Sequence, residues 1–245
     1  MEIIAHRGAS FDAPENTLSA IQLAWMQNAD AVEIDVHCSR DGKIVVIHDP
    51  TLRKLARCHG NVCDKTLREL QTFDVGSWKH ERWREERIPS IDAVLDTIPK
   101  GNRLFIELKC GVEGLLELGG ALRRTKTPAK SVALIGFSLA TMMEAKRLLP
   151  KLEMSWIVER KRDWRTARWT PAAEFLIERV RQAGLDGLDM GVRGLHTKFV
   201  QEVKAAHLQC YVWTVDSPAV ARRLIAAGID GITTNRPGWL RQRLR

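Results

Sequence analysis

Short apolar runs alternate with helix-period segments along the whole chain, and that alternation predicts an α/β fold with a parallel sheet. Eight such runs, each followed by a helix, are what closes a sheet on itself, so the expected architecture is a single (β/α)8 TIM barrel with a hairpin and insertion after the second strand. Two further observations support this: the chain has 245 residues, a natural length for one such barrel, and no linker or low-complexity stretch divides it. Residues 1–245 therefore read as one domain.

The strand-like runs are Ile3 to His6, Ala31 to His37, Leu104 to Lys109, Val132 to Phe137, Met154 to Val158, Gly187 to Met190, Cys210 to Val215 and Gly231 to Thr234. Helical patterns cover Glu15 to Asn28, Ile91 to Ile98, Val112 to Arg124, Ala140 to Leu149, Pro171 to Ala183, Thr197 to His207, Pro218 to Ala227 and Gly238 to Leu244. Pro171 and Pro218 stand where a first helical turn accepts proline, and Gly184 and Gly228 where a helix ends in a left-handed cap. Ala183-Gly184-Leu185-Asp186-Gly187 and Ala227-Gly228-Ile229-Asp230-Gly231 repeat one another, marking the same helix-to-strand turn in two successive units. Asp41-Gly42 is a strong hairpin turn, so Ile44 to His48 folds back against the second strand. Residues 49–90 form a basic, Trp-containing insertion with little periodicity beyond a short helix near Leu67 to Phe73. Irregular segments of this length in a compact domain are usually functional.

Hydrophobic residues at 44% and charged residues at 28% exclude a disordered or collagen-like chain. Lys and Arg outnumber Asp and Glu by 38 to 30, and the resulting +8 favours anionic ligands, acidic lipid surfaces or nucleic acid without choosing among them. The five cysteines, Cys38, Cys58, Cys63, Cys110 and Cys210, match neither a CxxC pair nor a zinc-finger spacing and read as reduced thiols. No apolar run approaches the roughly 20 residues that span a bilayer. The strand-like opening Met1 to His6 leaves no room for a secretory signal, so the expected location is cytoplasmic.

Side chains alternate across a strand, so Glu33 and Asp35 share one face while Val32, Ile34 and Val36 take the other. Glu107 and Lys109 repeat the arrangement on the third strand. Crowded carboxylates repel one another unless protonated or neutralised, and an all-oxygen set suits one hard divalent cation, Mg2+ or Ca2+, rather than zinc. Any one of these carboxylates alone would read as a salt-bridged surface residue. Set within runs as apolar as Ala31 to Val36 and Leu104 to Leu108, they are expensive to bury without partners. His6 ends the first strand and His48 the hairpin strand, at the ends where barrel enzymes place catalysis. A lone histidine there is commonly a plain hydrogen-bonding residue, whereas two framing a carboxylate cluster point to proton transfer near neutral pH.

In order along the chain stand His6-Arg7-Gly8, Pro14-Glu15-Asn16-Thr17, Glu33-Ile34-Asp35, Asp41-Gly42, His48-Asp49, Ile88-Pro89-Ser90, Glu107-Leu108-Lys109, Trp213-Thr214-Val215 and Thr234-Asn235-Arg236-Pro237. None of these is specific alone, but the ordered set, running from His6 to Pro237, resembles the glycerophosphodiester phosphodiesterase family. The resemblance implies a barrel enzyme that hydrolyses glycerophosphodiesters to glycerol 3-phosphate and an alcohol. It also implies His6 and His48 as an acid–base pair, Glu33, Asp35 and Glu107 around one divalent cation, and Arg7 and Lys109 on the phosphate. Chemistry agrees: a phosphodiester anion repels nucleophiles, so positive charge must offset its non-bridging oxygens while one group removes a proton and another supplies one. Trp213 is placed to wall the pocket against glycerol, though an aromatic at that position is often only core. His37 shares the face of Glu33 and Asp35 but sits nearer the hairpin, which favours a supporting or surface role over metal ligation. Cys110 reads as an inert small side chain.

The family commonly continues after its His-Asp with an Asp-Arg pair and a Thr-Gly stretch, whereas Arg53-Lys54-Leu55-Ala56-Arg57-Cys58-His59-Gly60 is basic, and the alcohol-side specificity is open. Residues 159–169 are rich in Arg and Trp and are expected to share the catalytic rim with the insertion as a positive, aromatic collar. A solvated loop covering the barrel mouth weighs equally with a substrate or lipid contact. The expected partner is a small anionic phosphodiester, with no nucleic acid and at most weak contact with an anionic membrane; the oligomeric state is not legible. Two other functions compete: a lysophospholipase D acting on an acylated diester, and a basic anionic-surface binding protein with an unused barrel site. Buried carboxylates argue against the second.

Overall fold

The computed structural model describes residues 1–56 and 58–245; Arg57, within the basic stretch of the insertion, lies outside the described residues. The strands are β1 (Glu2–His6), β2 (Ala31–Cys38), β3 (Ile44–Val46), β4 (Arg103–Leu108), β5 (Val132–Gly136), β6 (Glu153–Val158), β7 (Lys161–Arg162), β8 (Trp169–Thr170), β9 (Gly187–Gly191), β10 (Gln209–Trp213) and β11 (Gly231–Thr234). Eight of them pair in parallel around the circle β1, β2, β4, β5, β6, β9, β10, β11, and β11 closes onto β1. These are the eight apolar runs of the sequence, so the closed barrel is the one expected.

Alternation along the strands separates two layers of core. Ile4, Ala31, Phe105, Ala133, Ile135, Ile157 and Tyr211 pack together inside the barrel. Val32, Ile34, Val36, Leu104, Ile106, Leu134, Leu188 and Val212 belong to the larger cluster between barrel and helices. Each such side chain contributes ~1.5–3 kcal/mol when fully buried.

Helices at Leu18–Met26, Ile91–Leu95, Leu115–Arg124, Leu139–Leu148, Ala173–Gln182, Thr197–Ala205, Pro218–Ala226 and Pro237–Leu244 cover the outside. The first begins at Leu18 rather than Glu15 because Thr17 caps it, accepting from the Ala20 N–H, while Asn16 takes a left-handed φ of 60°. Val112–Gly114 forms a separate 3-10 turn ahead of its helix. Pro218 opens its helix as expected. Pro171 does not: that helix starts at Ala173, and the Pro171 carbonyl instead accepts from the Arg160 guanidinium at 2.9 Å. Gly184 and Gly228 hold the left-handed φ values, 65° and 93°, of the two repeated turns. No helix among the described residues is long and apolar enough to cross a membrane.

β3 runs antiparallel to the end of β2, pairing Val36 with Val46, and Gly42 makes the turn with φ 71°. The insertion is more regular than its sequence suggested. Short helices at Arg53–Ala56 and Leu67–Leu70, with 3-10 turns at Val62–Asp64 and Glu81–Trp83, enclose a second small core of Val45, Ile47, Leu52, Leu55, Val62, Leu70, Val75 and Ile88. Thr66 and Glu69 form a capping box on the Leu67–Leu70 helix. The Leu67–Leu70 helix is the one expected near Leu67 to Phe73, ending at Leu70; the other elements are too short to show periodicity, which is why sequence pattern alone left them as loop.

Candidate active site

Strand register gathers the acidic and basic residues at one end of the barrel. His6 pairs with Glu33 across β1 and β2, and Asp35 with Glu107 across β2 and β4. His6, Arg7, Glu33, His48, Glu107, Lys109 and Trp213 line one cavity of about 110 Å³, completed by Ile135, Phe137, Ile157, Asp189 and Thr233. Asp35, fully buried, joins Glu33 and Glu107 in a cluster in which one oxygen of each lies within 4.8 Å of the others. All eight residues singled out in the sequence therefore meet in one place.

The loop after β1 is shaped to serve this cluster. Arg7 and Gly8 both adopt left-handed φ, 55° and 80°, and a β-carbon on Gly8 would lie 2.5 Å from the Ala20 carbonyl carbon. That turn lets the Arg7 N–H donate to Glu33 Oε2 at 3.0 Å while its guanidinium reaches Asp35 at 3.0 Å and Glu15 at 3.0 Å. Asn16 holds Asp35 twice, donating from Nδ2 to the carboxylate at 2.9 Å and accepting the Asp35 N–H at 3.2 Å. Lys109 stands 3.3 Å from Asp35 and 2.5 Å from Glu107.

Burial, then Asp35 and Glu107, push the Glu33 carboxyl well above the ordinary range. Burial and then Asp35 hold Glu107 at about 7, against the pull of Lys109. Burial also pushes Asp35 upward, but Arg7, Lys109 and His48 outweigh it and leave the group below its usual value. Asp35 Oδ1 and Glu107 Oε1 are buried and meet only the Lys109 ammonium, as ion pairs without hydrogen-bond geometry. Oxygens this close, with Glu33 and Glu107 resisting ionisation beside Asp35, fit a hard cation with ligand distances of about 2.0–2.6 Å.

His6 is positioned from the far end of the chain. Its Nδ1 lies 2.8 Å from Asn235 Oδ1, and Asn235 Nδ2 donates to Asp216 at 2.7 Å. Because the amide nitrogen is committed to Asp216, the amide oxygen accepts the imidazole Nδ1–H and Nε2 is the free nitrogen. Burial and then Arg7 lower the His6 pKa, keeping the ring neutral. His48 Nδ1 meets Asp49 at 2.6 Å, and the His48 carbonyl receives a hydrogen bond from His37 Nε2 at 2.9 Å. His37 is therefore a support for the hairpin end, as its place on the strand suggested. Asn16, Asn235, Asp216 and Asp189 were not singled out as site residues. Asn16 and Asn235 stand within the quoted motifs, and Asp189 sits between apolar Leu188 and Met190 in the manner of Glu33 and Asp35.

The basic collar is only partly what the sequence suggested. Residues 161–170 form the β7–β8 hairpin, and a groove lined by Lys161, Arg162, Trp169 and Arg193 shares Trp213 with the cavity. Trp164 at the tip is 84% exposed, but Trp78 is half-buried and donates Nε1 to the Val75 carbonyl at 2.8 Å. Arg160 is buried and spends its guanidinium on the carbonyls of Pro171, Gly194 and Trp169 at 2.9, 2.7 and 2.7 Å. It ties down the hairpin and is not free to meet an anion.

Cationic side chains, paired imidazoles and a carboxylate cluster able to hold a metal ion, at the mouth of a closed α/β barrel, define a phosphoric diester hydrolase. The comparisons with known proteins narrow that class. The chain belongs to the glycerophosphoryl diester phosphodiesterase family, whose model matches residues 6–239. The Bacillus subtilis protein YhdW is 33% identical over 249 residues, covering 98% of this chain and 96% of its own. The glycerophosphodiester phosphodiesterase of Caldanaerobacter subterraneus is 30% identical over 249 residues, covering 97% and 95%. A solved phosphodiesterase from Oleispira antarctica, in complex with the product sn-glycerol-3-phosphate, superposes with a TM-score of 0.88 at 28% identity, covering 100% of this chain and 96% of that one.

Proposed function

We propose that residues 1–245 form one catalytic domain, with 49–90 as an insertion, that hydrolyses glycerophosphodiesters to sn-glycerol 3-phosphate and an alcohol. The observation that carries this reading is the convergence of His6, His48, Glu33, Glu107, Arg7 and Lys109 on one cavity, beside Asp35. The product bound to the Oleispira antarctica relative supports the same substrate class.

Glu33, Asp35 and Glu107 would hold one divalent cation, Mg2+ or Ca2+, which supplies positive charge at the non-bridging phosphoryl oxygens. Arg7 and Lys109 add charge on either side of that position. The neutral His6 ring, with Nδ1–H fixed on Asn235, presents Nε2 for accepting a proton from the attacking oxygen. His48, held at Nδ1 by Asp49, takes the complementary role and delivers a proton to the departing alkoxide. The new phosphorus–oxygen bond forms as the bond to the alcohol breaks, so proton uptake and release balance. Trp213 and Phe137, edge to face with centroids 6.0 Å apart, wall the cavity where the glycerol carbons would lie.

The test is release of glycerol 3-phosphate from a panel of glycerophosphodiesters, with and without EDTA, by the parent, His6→Ala and Glu33→Ala. Chelator and either substitution are expected to abolish turnover; activity indifferent to EDTA and to Glu33→Ala removes the cation from the mechanism. Cleavage of lysophosphatidylcholine but not glycerophosphocholine would instead favour a lysophospholipase D.

A further inference from the structure

One carboxyl in the cavity has no part in the chemistry above. In the circle of eight strands, β9 stands directly opposite β2, so Asp189 faces the Glu33 and Asp35 strand across the barrel. Asp189 is 3% exposed and lines the cavity, yet its Oδ1 is buried with no hydrogen-bond partner. Among the described residues no cation is paired with it: Arg7 and Lys109 are both committed to Asp35, on the far wall. Its register neighbours are Ile157 on β6, which also lines the cavity, and Tyr211 on β10.

A buried polar atom left without a partner calls for an explanation, and here the open direction is the cavity itself. A substrate whose phosphate sits against Arg7, Lys109 and the acidic cluster must direct its other end at the opposite wall. We propose that Asp189 recognises the polyol end of the substrate, exchanging a hydrogen bond with a glycerol hydroxyl; the assignment rests on the diesterase reading above. Burial first, and then the charge of Glu107, push the Asp189 carboxyl well above the usual range, which favours a partner that can both donate and accept, as a hydroxyl does. A hydroxyl satisfies this group without bringing a second charge into the cavity. Ile157 beside it offers an apolar surface to the carbon chain that carries the hydroxyls, and a site built to pair with a hydroxyl discriminates against a ligand that lacks it.

The experiment compares binding of sn-glycerol 3-phosphate with that of propyl phosphate, which has the same phosphate and carbon chain without hydroxyls, by calorimetry at saturating Mg2+ or Ca2+. The parent is expected to prefer glycerol 3-phosphate by about tenfold or more, corresponding to ~1.4 kcal/mol. Asp189→Leu and Asp189→Ala should remove that preference by weakening glycerol 3-phosphate alone, and Asp189→Asn, which keeps a donor and an acceptor, should retain it within about threefold. Melting temperatures of the variants establish that each is folded, and two truncations of different size guard against one failing. Loss of affinity for both ligands in step would make Asp189 a merely structural residue and overturn the proposal, as would an unchanged preference in both truncations. If the parent hydrolyses glycerophosphocholine while the truncations keep their preference, only this inference falls. If the parent neither hydrolyses it nor binds glycerol 3-phosphate, the diesterase reading falls and takes the inference with it.

Discussion

Glu107 makes the protein's stability depend on pH and on cations in opposite senses. Its carboxyl titrates near 4.5 in an unfolded chain and at about 7 in the fold, a difference that amounts to about 3.5 kcal/mol at ~1.4 kcal/mol per decade. Below pH 4.5 the group is protonated in both states and costs nothing. Between 4.5 and about 7 the folded state binds a proton that the unfolded state has released, and stability declines as pH rises through this window. Above about 7 both states are ionised and the full burden of a buried carboxylate is present. At roughly 2–4 °C per kcal/mol for a chain of this size, the cation-free protein should melt up to roughly 7–14 °C lower at pH 8 than at pH 4.5 on account of this group. A divalent cation reverses the loss by taking the place of the proton, and at a hundredfold excess over its Kd adds about 2.7 kcal/mol. The measurement is thermal unfolding at pH 4.5, 6 and 8, in EDTA and with saturating Mg2+ or Ca2+, for the parent and Glu107→Gln; the difference between the two proteins isolates the group from other titrations. Glu107→Gln should lose both this pH slope and most of the cation response. An equal pH slope in both proteins, or a full cation response in Glu107→Gln, refutes the reasoning.

Asn235→Ala removes the acceptor that fixes the His6 tautomer; kcat should fall by about ten- to a hundredfold with little change in KM, and the pH–rate profile should shift. Asn16→Ala strips Asp35 of a buried hydrogen bond on either side and should destabilise the fold by ~1–3 kcal/mol, read by urea denaturation, while also weakening the cation-induced rise in melting temperature. Gly8→Ala forces a β-carbon against the Ala20 backbone in a left-handed turn and should cost about 1–3 kcal/mol or more, with activity falling because Arg7 loses its place. If Gly8→Ala melts and turns over like the parent, the tightness of that turn has been misjudged.

The barrel was legible because its strands obey a period of two and its turns carry proline and glycine where backbone geometry demands them. The same period exposed Glu33, Asp35 and Glu107, since a charge inside an apolar run announces an inward face. Asp189 gave that signal too, as one acidic residue between Leu188 and Met190, but without a neighbour of its kind on the strand it did not stand out. Asn235 lies 229 residues from His6, and no local pattern reports a contact made only when β11 closes onto β1. Pro171 misled because the chain uses its carbonyl to bind Arg160 before the helix begins. Beyond the helix expected near Leu67 to Phe73, the insertion was illegible for the opposite reason: Arg53–Ala56 is one turn long, and its burial depends on a partner surface supplied by Val45 and Ile47.

Register is what converts these local features into a site. Glu107 meets Asp35 because β4 pairs with β2 at that pair, and a slip of one residue would turn Glu107 toward the helices and bring Ile106 or Leu108 into the barrel. The apolar layer prevents the slip: Leu104, Ile106 and Leu108 would all leave the outer core together with it. The energy that holds the carboxylates against their mutual repulsion therefore comes from aliphatic side chains on the reverse face of the same strands. That coupling explains why acidic residues expensive to bury can be concentrated on adjacent strands without unfolding them. It also implies that outward-facing substitutions such as Ile34→Ala should loosen the cation site, through register, before they disturb any group that touches substrate.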